Sequence, residues 1–252
     1  MARKIVITSG KGGVGKTTVT ANLGLCLARK ALRVALVDLD VGLNNLDVAL
    51  KIDNKVVFDM LDVIENRCRL RQALIEDDNE PSLCCLPSMH MNTKQTLTDT
   101  AVKTLITKMD NMFDYILIDC PAGIDKGFVR AVNCADEAIV ICTPHLSSVR
   151  DADKVIGLLA GYDLLQTSIV VNRVRGDLVC RGEMLSAYEV FQLLDKKPLG
   201  VLPEEDCVNC FTTAPEYACE PYMILADNLH FGTSKMYSGF WGKIRSSIKR
   251  KV

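Results

Sequence analysis

The sequence predicts an α/β fold: a mostly parallel, doubly wound sheet with helices on both faces. Three observations predict it. Short apolar strand segments alternate with stretches of helical periodicity along the chain. A glycine-rich loop sits between the first strand and the first helix, and acidic residues close two of the apolar strands. Parallel strands joined in this way need right-handed crossovers, and ligands then sit outside the carboxyl ends of the strands.

Taken in order, Lys4–Thr8 reads as a short buried strand, and Thr17–Arg29 carries helical spacing with Leu23, Leu27 and Ala28 on one stripe. Arg33–Asp38 is a second buried strand, running into Asp38–Asp47, a polar loop rich in carboxylates and amides. Val56–Glu65 and Leu70–Ile75 read as short helices and Leu83–Leu86 as a brief strand. Thr98–Met112 is a helix with Val102, Leu105, Ile106 and Met109 in register, and Tyr115–Asp119 is a strand stopped by Cys-Pro-Ala-Gly123. Glu137–Cys142 is another strand, followed by a helix over Ser147–Tyr162 with Val149, Ala152, Val155, Ile156 and Leu159 on one face. Thr167–Asn172 is a strand, Glu183–Leu194 a helix, and Leu199–Leu202 a last short strand ending at Pro203. No internal repeat, low-complexity tract or linker interrupts the pattern. One domain over residues 1–230 is expected, with 231–252 a basic amphipathic segment behind it.

Composition narrows the class. With 48% hydrophobic and 24% charged residues the 252-residue chain can bury a sizeable core, and its composition is that of a folded rather than a disordered chain. A net charge of −1 makes no whole-protein case for nucleic acid. The charge is uneven, however: residues 231–252 hold six Lys/Arg and no acid, leaving about −7 on the rest. The first residues lack the features of a secretory signal peptide, and no run approaches the ~18 apolar residues of a membrane-spanning helix. These features point to a cytosolic protein whose eleven cysteines are reduced thiols.

The chemistry concentrates at Gly10-Lys-Gly-Gly-Val-Gly-Lys-Thr17, which fits G-x-x-x-x-G-K-[ST], a phosphate-cradling loop. Its glycines let successive backbone N–H groups turn toward phosphates, and the following helix adds the positive end of its dipole. Lys16 is expected to reach the β- and γ-phosphates of a nucleoside triphosphate, and the Thr17 hydroxyl to ligate Mg²⁺. Asp119 closes an apolar strand where a carboxylate holds Mg²⁺ directly or through water. Asp38 and Asp40 close the strand before it, one suited to orienting the attacking water and the other to the metal shell. His90, His145 and His230 have no nucleophile partner and no Gly-x-Ser-x-Gly is present, so a hydrolase triad is not supported.

Lys11-Gly-Gly-Val-Gly-Lys-Thr-Thr18 resembles the deviant Walker A motif of the MinD/ParA P-loop ATPases. Val37–Asp47 is similar to their switch I, and Leu117-Ile-Asp-Cys-Pro-Ala-Gly-Ile124 to their switch II. The start Met1–Ser9, the Asn45-Leu-Asp47 end of switch I and Ser147-Ser-Val-Arg-Asp-Ala-Asp153 resemble the MinD branch, whose members regulate the cell-division site. The resemblance covers roughly residues 1–225. It implies an Mg²⁺-dependent ATPase that dimerises on ATP, with Lys11 crossing to the partner's phosphates, Asp40 positioning the hydrolytic water and Asn45 at the dimer contact. Gly10, Gly12, Gly13, Val14, Gly15 and Lys16 would cradle the phosphates. Thr18 would touch the α-phosphate, and Asp38, Asp119 and Thr17 would form the metal set. Asn172 and Arg173 look like the family's adenine-recognition turn, closed by Pro203 and Glu204. Ser148, Arg150, Asp151 and Asp153 would form the helix surface used by a MinC-like division inhibitor and a MinE-like topological factor. The family often carries Arg where this chain has Asn44, and its relatives have a longer carboxyl end.

On a helical wheel Met236, Tyr237, Phe240, Trp241, Ile244 and Ile248 span about 140°. Lys243 and Arg245 flank that face, as in an interfacial helix on an anionic membrane. The alternative is that the same face packs on the sheet as the domain's last helix. As an anchor, it would make the protein peripheral on the inner face of the cell membrane, with an ATP-dependent dimer presenting two anchors at once. Two rivals remain at this level. A ParA-like DNA-partition ATPase would bind phosphates with the basic tail. An iron–sulfur or zinc carrier would use Cys207-x-x-Cys210 with Cys219 and His230.

Overall fold

Aliphatic runs form the strands, and the helices between them lie where apolar residues recur every three to four positions. The computed structural model describes residues 1–40, 45–88, 97–204 and 220–239. The chain runs β1 (Arg3–Thr8), α1 (Lys16–Ala28), β2 (Val34–Asp38), α2 (Asn45–Leu50), α3 (Met60–Ile64), α4 (Leu70–Ala73), β3 (Ile75–Glu76) and β4 (Leu83–Leu86). It continues with α5 (Asp99–Lys108), β5 (Tyr115–Asp119), α6 (Lys126–Val132), β6 (Glu137–Cys142), α7 (Leu146–Leu159) and β7 (Gln166–Val174). The last elements are α8 (Gly176–Cys180), α9 (Ala187–Leu194), β8 (Lys197–Pro203) and α10 (Glu220–Phe231).

Among the described residues eight strands form one sheet in the order β3-β4-β2-β5-β1-β6-β7-β8. Every neighbouring pair is parallel except β3–β4, a two-residue antiparallel edge. The doubly wound, mostly parallel sheet expected from the sequence is therefore the fold. Alternation along each strand splits the core into two layers. On β1, Val6 belongs to the layer that contains residues of α3 to α7 and α9, while Ile5 and Ile7 belong to the layer that contains residues of α1, α2 and α10. On β5, Ile116 and Ile118 join the first layer and Tyr115 and Leu117 the second.

Several local expectations change. The apolar stripe expected on α1 is instead near-complete burial from Val19 to Ala28, because the sheet covers one side and α2 and α10 cover the other. The polar loop after β2 contains α2, whose Leu46 and Leu50 enter that core. The helix expected from Glu183 starts at Ala187, where Ser186 and Glu189 form a reciprocal capping box. The helix expected over Thr98–Met112 starts at Asp99 under a Thr98 cap and ends at Lys108. Short α6 and α8, and the edge strand β3, were not anticipated.

The largest change is at the carboxyl end. α10 is a core helix, with Tyr222, Leu225, Ala226 and Leu229 buried, and it ends at Phe231 where Gly232 takes a left-handed φ of 69°. Residues 232–238 carry no helical turn, so the amphipathic helix expected from 231 onward does not begin there. Met236, expected on a lipid-facing stripe, packs on the domain core. Phe240, Trp241, Ile244 and Ile248 lie outside the described residues, as do Cys207, Cys210 and Cys219. The eight described cysteines are all free thiols.

Leu225 is fully buried, and its side chain fills the space that a Cβ on Gly200 of β8 would need. Leu225→Ala is expected to destabilise the whole domain by about 2–5 kcal/mol. Urea denaturation followed by circular dichroism checks this, with one cooperative transition moving as a unit.

Candidate nucleotide-binding site

The loop between β1 and α1 is held open by backbone geometry. Gly13 and Gly15 take φ of 75° and 97°, and a Cβ on Gly15 would lie 2.5 Å from Asn172 Nδ2. Asn172, at the carboxyl end of β7, donates that amide to the Val14 carbonyl at 2.8 Å. The Ser9 hydroxyl donates to the Lys11 carbonyl at 2.8 Å, bracing the other end of the loop. Between these braces the Lys11 side chain is exposed, whereas Lys16 is 8% exposed at the head of α1.

Below the loop, two carboxylates meet on adjoining strands. Asp38 of β2 and Asp119 of β5 are partners in register, and each is 1% exposed. The Thr17 hydroxyl donates to Asp119 Oδ2 at 2.7 Å, and Thr20 Oγ1 lies 3.1 Å from Asp119 Oδ1. Asp38 accepts the Asp40 N–H at 2.8 Å and the Leu46 N–H at 3.4 Å, tying the start of α2 to the site. Burial, aided by the Asp119 charge, pushes Asp38 up to about 7. Burial also raises Asp119 to about 6, against the pull of the Thr17 hydroxyl, Lys16 and the Thr20 hydroxyl. Asp40 is raised by burial and drawn back by Lys16. Thr20 is a site residue that the motif reading missed. It sits one turn beyond Lys16 on the same face of α1, a spacing that would have found it.

The donor chemistry fits the ligands expected. Two buried carboxylates at strand ends and a hydroxyl from the first turn of α1 are hard oxygen donors suited to Mg²⁺. Left-handed glycines, a helix N-terminus and a buried lysine suit phosphate oxygens. Arg173 takes a left-handed φ of 59° at an irregularity in the β7–β8 register, and its N–H is held by Asn172 Oδ1 at 2.9 Å. Val174 pairs with Pro203, and Glu204 N–H donates to the Val174 carbonyl at 3.1 Å. Asn172, Arg173, Pro203 and Glu204 are thus gathered at the adjoining carboxyl ends of β7 and β8.

The partner-facing set divides. Arg150 and Asp153 are exposed on α7, and Asp151 pairs with Lys154 at 3.3 Å. Ser148 is not on that surface. It is 4% exposed, shares the buried face with Ala152 and Val155, and accepts the Thr143 N–H at 3.0 Å, closing the turn from β6. Gly10 packs so closely on this helix that a Cβ there would overlap the Asp151 carbonyl. The Asn45 side chain lies outside the described residues. His230, one member of the suspected metal set, hydrogen-bonds the Tyr115 hydroxyl at 3.0 Å near the amino end of β5. Among the described residues no cluster of three His, Cys, Asp or Glu side chains is arranged to hold a metal.

A parallel sheet with this loop at the carboxyl end of β1 defines a P-loop ATPase. The family model described as an AAA domain matches residues 2–161. The chain is 44% identical to the septum site-determining protein MinD of Synechocystis sp. over 216 residues, covering 86% of this chain and 81% of that protein. The MinD structure in a MinC:MinD cell-division complex of Aquifex aeolicus shares 40% identity at a TM-score of 0.85, covering 94% of this chain and 98% of that one. The MinD of Pyrococcus horikoshii complexed with Mg-ADP shares 28% identity at a TM-score of 0.78, covering 91% and 96%. The chain belongs to the MinD family of septum site-determining ATPases, within the MinD/ParA class.

Raised carboxyl pKa values mean that the folded, metal-free protein binds more protons than the unfolded chain, so stability falls as pH rises through them. The melting temperature without nucleotide and in EDTA is expected to rise as pH falls from 8 to 6. Asp38→Asn should flatten that slope in a differential scanning fluorimetry series.

Proposed function

We propose that this protein is an ATP-gated dimer that sits peripherally on the inner face of the cell membrane and recruits a division inhibitor there, so helping to place the septum. The observation that carries this reading is the contact between loop and helix: Gly10 abuts the α7 backbone at Asp151. A change in the loop on nucleotide exchange must therefore be felt by the helix bearing Arg150, Asp151 and Asp153. The solved MinC:MinD complex of Aquifex aeolicus supports a MinC-like partner for that surface. A MinE-like topological factor using the same surface would compete with it.

Position supports several of the residue roles in this reading. Lys16, buried at the head of α1, neutralises phosphate charge within its own subunit. Lys11, exposed at the loop's outer edge, is placed to reach across to a second copy, with Asn45 contributing to that contact. Asp40 lies beside Lys16 at the end of β2, where burial raises its basicity and suits it to orient the attacking water and accept its proton. Thr17, Asp38 and Asp119 hold Mg²⁺, which when bound supplies positive charge against the phosphates. Thr18 reaches the α-phosphate, and Asn172, Arg173, Pro203 and Glu204 frame the base. Membrane attachment falls to Phe240, Trp241, Ile244 and Ile248 with the basic residues around them. Two weak anchors on one dimer then act together, and hydrolysis releases them. Among the described residues no helix is long and apolar enough to cross a membrane.

Sedimentation with anionic liposomes in ATP and in ADP tests the reading. Wild type is expected to pellet chiefly with ATP, and Lys11→Ala to stay in solution as a monomer under both conditions. Asp40→Ala should pellet with ATP while its hydrolysis falls on the order of 10²-fold. Equal pelleting in ATP and ADP would sink the nucleotide gate.

A further inference from the structure

Beyond α10 the chain is held with more care than a linker needs. Asn228, 1% exposed, uses both ends of its side-chain amide on this stretch. Its Nδ2 donates to the Leu199 carbonyl of β8 at 2.8 Å and the Lys235 carbonyl at 2.6 Å. Its Oδ1 accepts the Thr233 hydroxyl at 2.6 Å and the Lys235 N–H at 3.1 Å. α10 belongs to the core layer that contains α1, whereas Met236 packs on the opposite layer. Residues 232–238 therefore form a strap around the free edge of β8, from one face of the sheet to the other. On the far side Met236, Tyr237 and Ser238 line a cavity of about 320 Å³ with Val179, Tyr188 and Phe191.

That cavity is largely apolar, lies open on the surface, and has the strap as one wall. The chain continues for 13 residues past Gly239, beginning with Phe240 and Trp241. We propose that this groove between α8, α9 and the β7–β8 edge receives Phe240 and Trp241 of the chain's own carboxyl segment, stowing the segment on the domain. Reach is assured: Phe240 and Trp241 are two and three residues past Ser238, a span of at most ~11 Å. Tethering so close gives the segment an effective concentration in the millimolar range, so even a weak contact is populated. The chemistry matches, because Phe191, Tyr188 and Met236 offer ring edges and a thioether to an indole. The docking stands independently of any membrane role. Its consequence rests on the membrane reading above: the side chains that fill the groove are those expected to enter lipid, so stowing would lower the affinity of the free protein for a bilayer by the fraction undocked.

Trp241 is the sole tryptophan in the chain, so intrinsic fluorescence reports its surroundings directly. Full-length protein without nucleotide or lipid is expected to show blue-shifted emission and quenching by acrylamide several-fold weaker than that of free N-acetyltryptophanamide. Phe191→Glu, and the milder Tyr188→Glu at a position 69% exposed, should shift the emission red and raise quenching. Circular dichroism would confirm that both variants fold. Emission already fully quenchable in wild type, or unchanged in both folded variants, overturns the proposal. Blue emission that reddens on dilution also overturns it, assigning the groove to a second copy. The same variants are then mixed with phosphatidylglycerol vesicles without ATP. Increased pelleting supports stowing as a restraint on lipid binding. A spectral shift without altered pelleting leaves the docking intact and tells against the membrane reading instead.

Discussion

Asp119 is the hinge on which the site turns. Its carboxylate is buried at the end of a central strand, where it takes up the hydroxyls of Thr17 and Thr20 and so pins the first turns of α1 to β5. Because β5 lies between β2 and β1, Asp119 also stands beside Asp38 in register, and both acids are buried. Burial and mutual proximity raise both carboxyls, so their ionised forms are held at a cost that a positive charge nearby would offset. The phosphate loop above it depends on the same placement, since α1 can present its N-terminus and Lys16 only while its first turn is held there.

The loop is also braced from the other half of the sheet. Asn172 reaches from β7 to the Val14 carbonyl, and Gly10 lies directly on the α7 backbone. The two halves of the doubly wound sheet therefore meet at the phosphate loop, where strand order reverses around β1. Movement of the loop has two neighbours that cannot ignore it. One is the strand end carrying Asn172 and Arg173, and the other is the helix carrying Arg150, Asp151 and Asp153.

At the far edge, β8 would be an open strand but for the turn that follows α10. Asn228 satisfies all its hydrogen-bonding capacity on β8 and the strap, which makes the strap part of the domain rather than a tether. Covering an edge strand and directing the chain into the apolar groove are one structural act. The exit point of the carboxyl segment is thereby fixed relative to the nucleotide site.

Much of this was legible in the sequence by itself. Runs such as Tyr115–Asp119 and Glu137–Cys142 could only be buried parallel strands, and a glycine loop between strand and helix with acids at two strand ends specified a nucleotide site. Those signals are local, carried by a few consecutive residues. What only the tertiary structure decided depends on contacts between distant segments. Ser148 reads as a surface residue beside Arg150 until β6 places Thr143 N–H against it. α1 reads as amphipathic until α10, two hundred residues later, covers its outer side. The basic tail reads as one helix from Phe231 until Gly232 ends α10 and Asn228 draws Met236 across the sheet edge. Periodicity records which side chains avoid water, but not which neighbour takes its place, and that choice is made only when the chain folds.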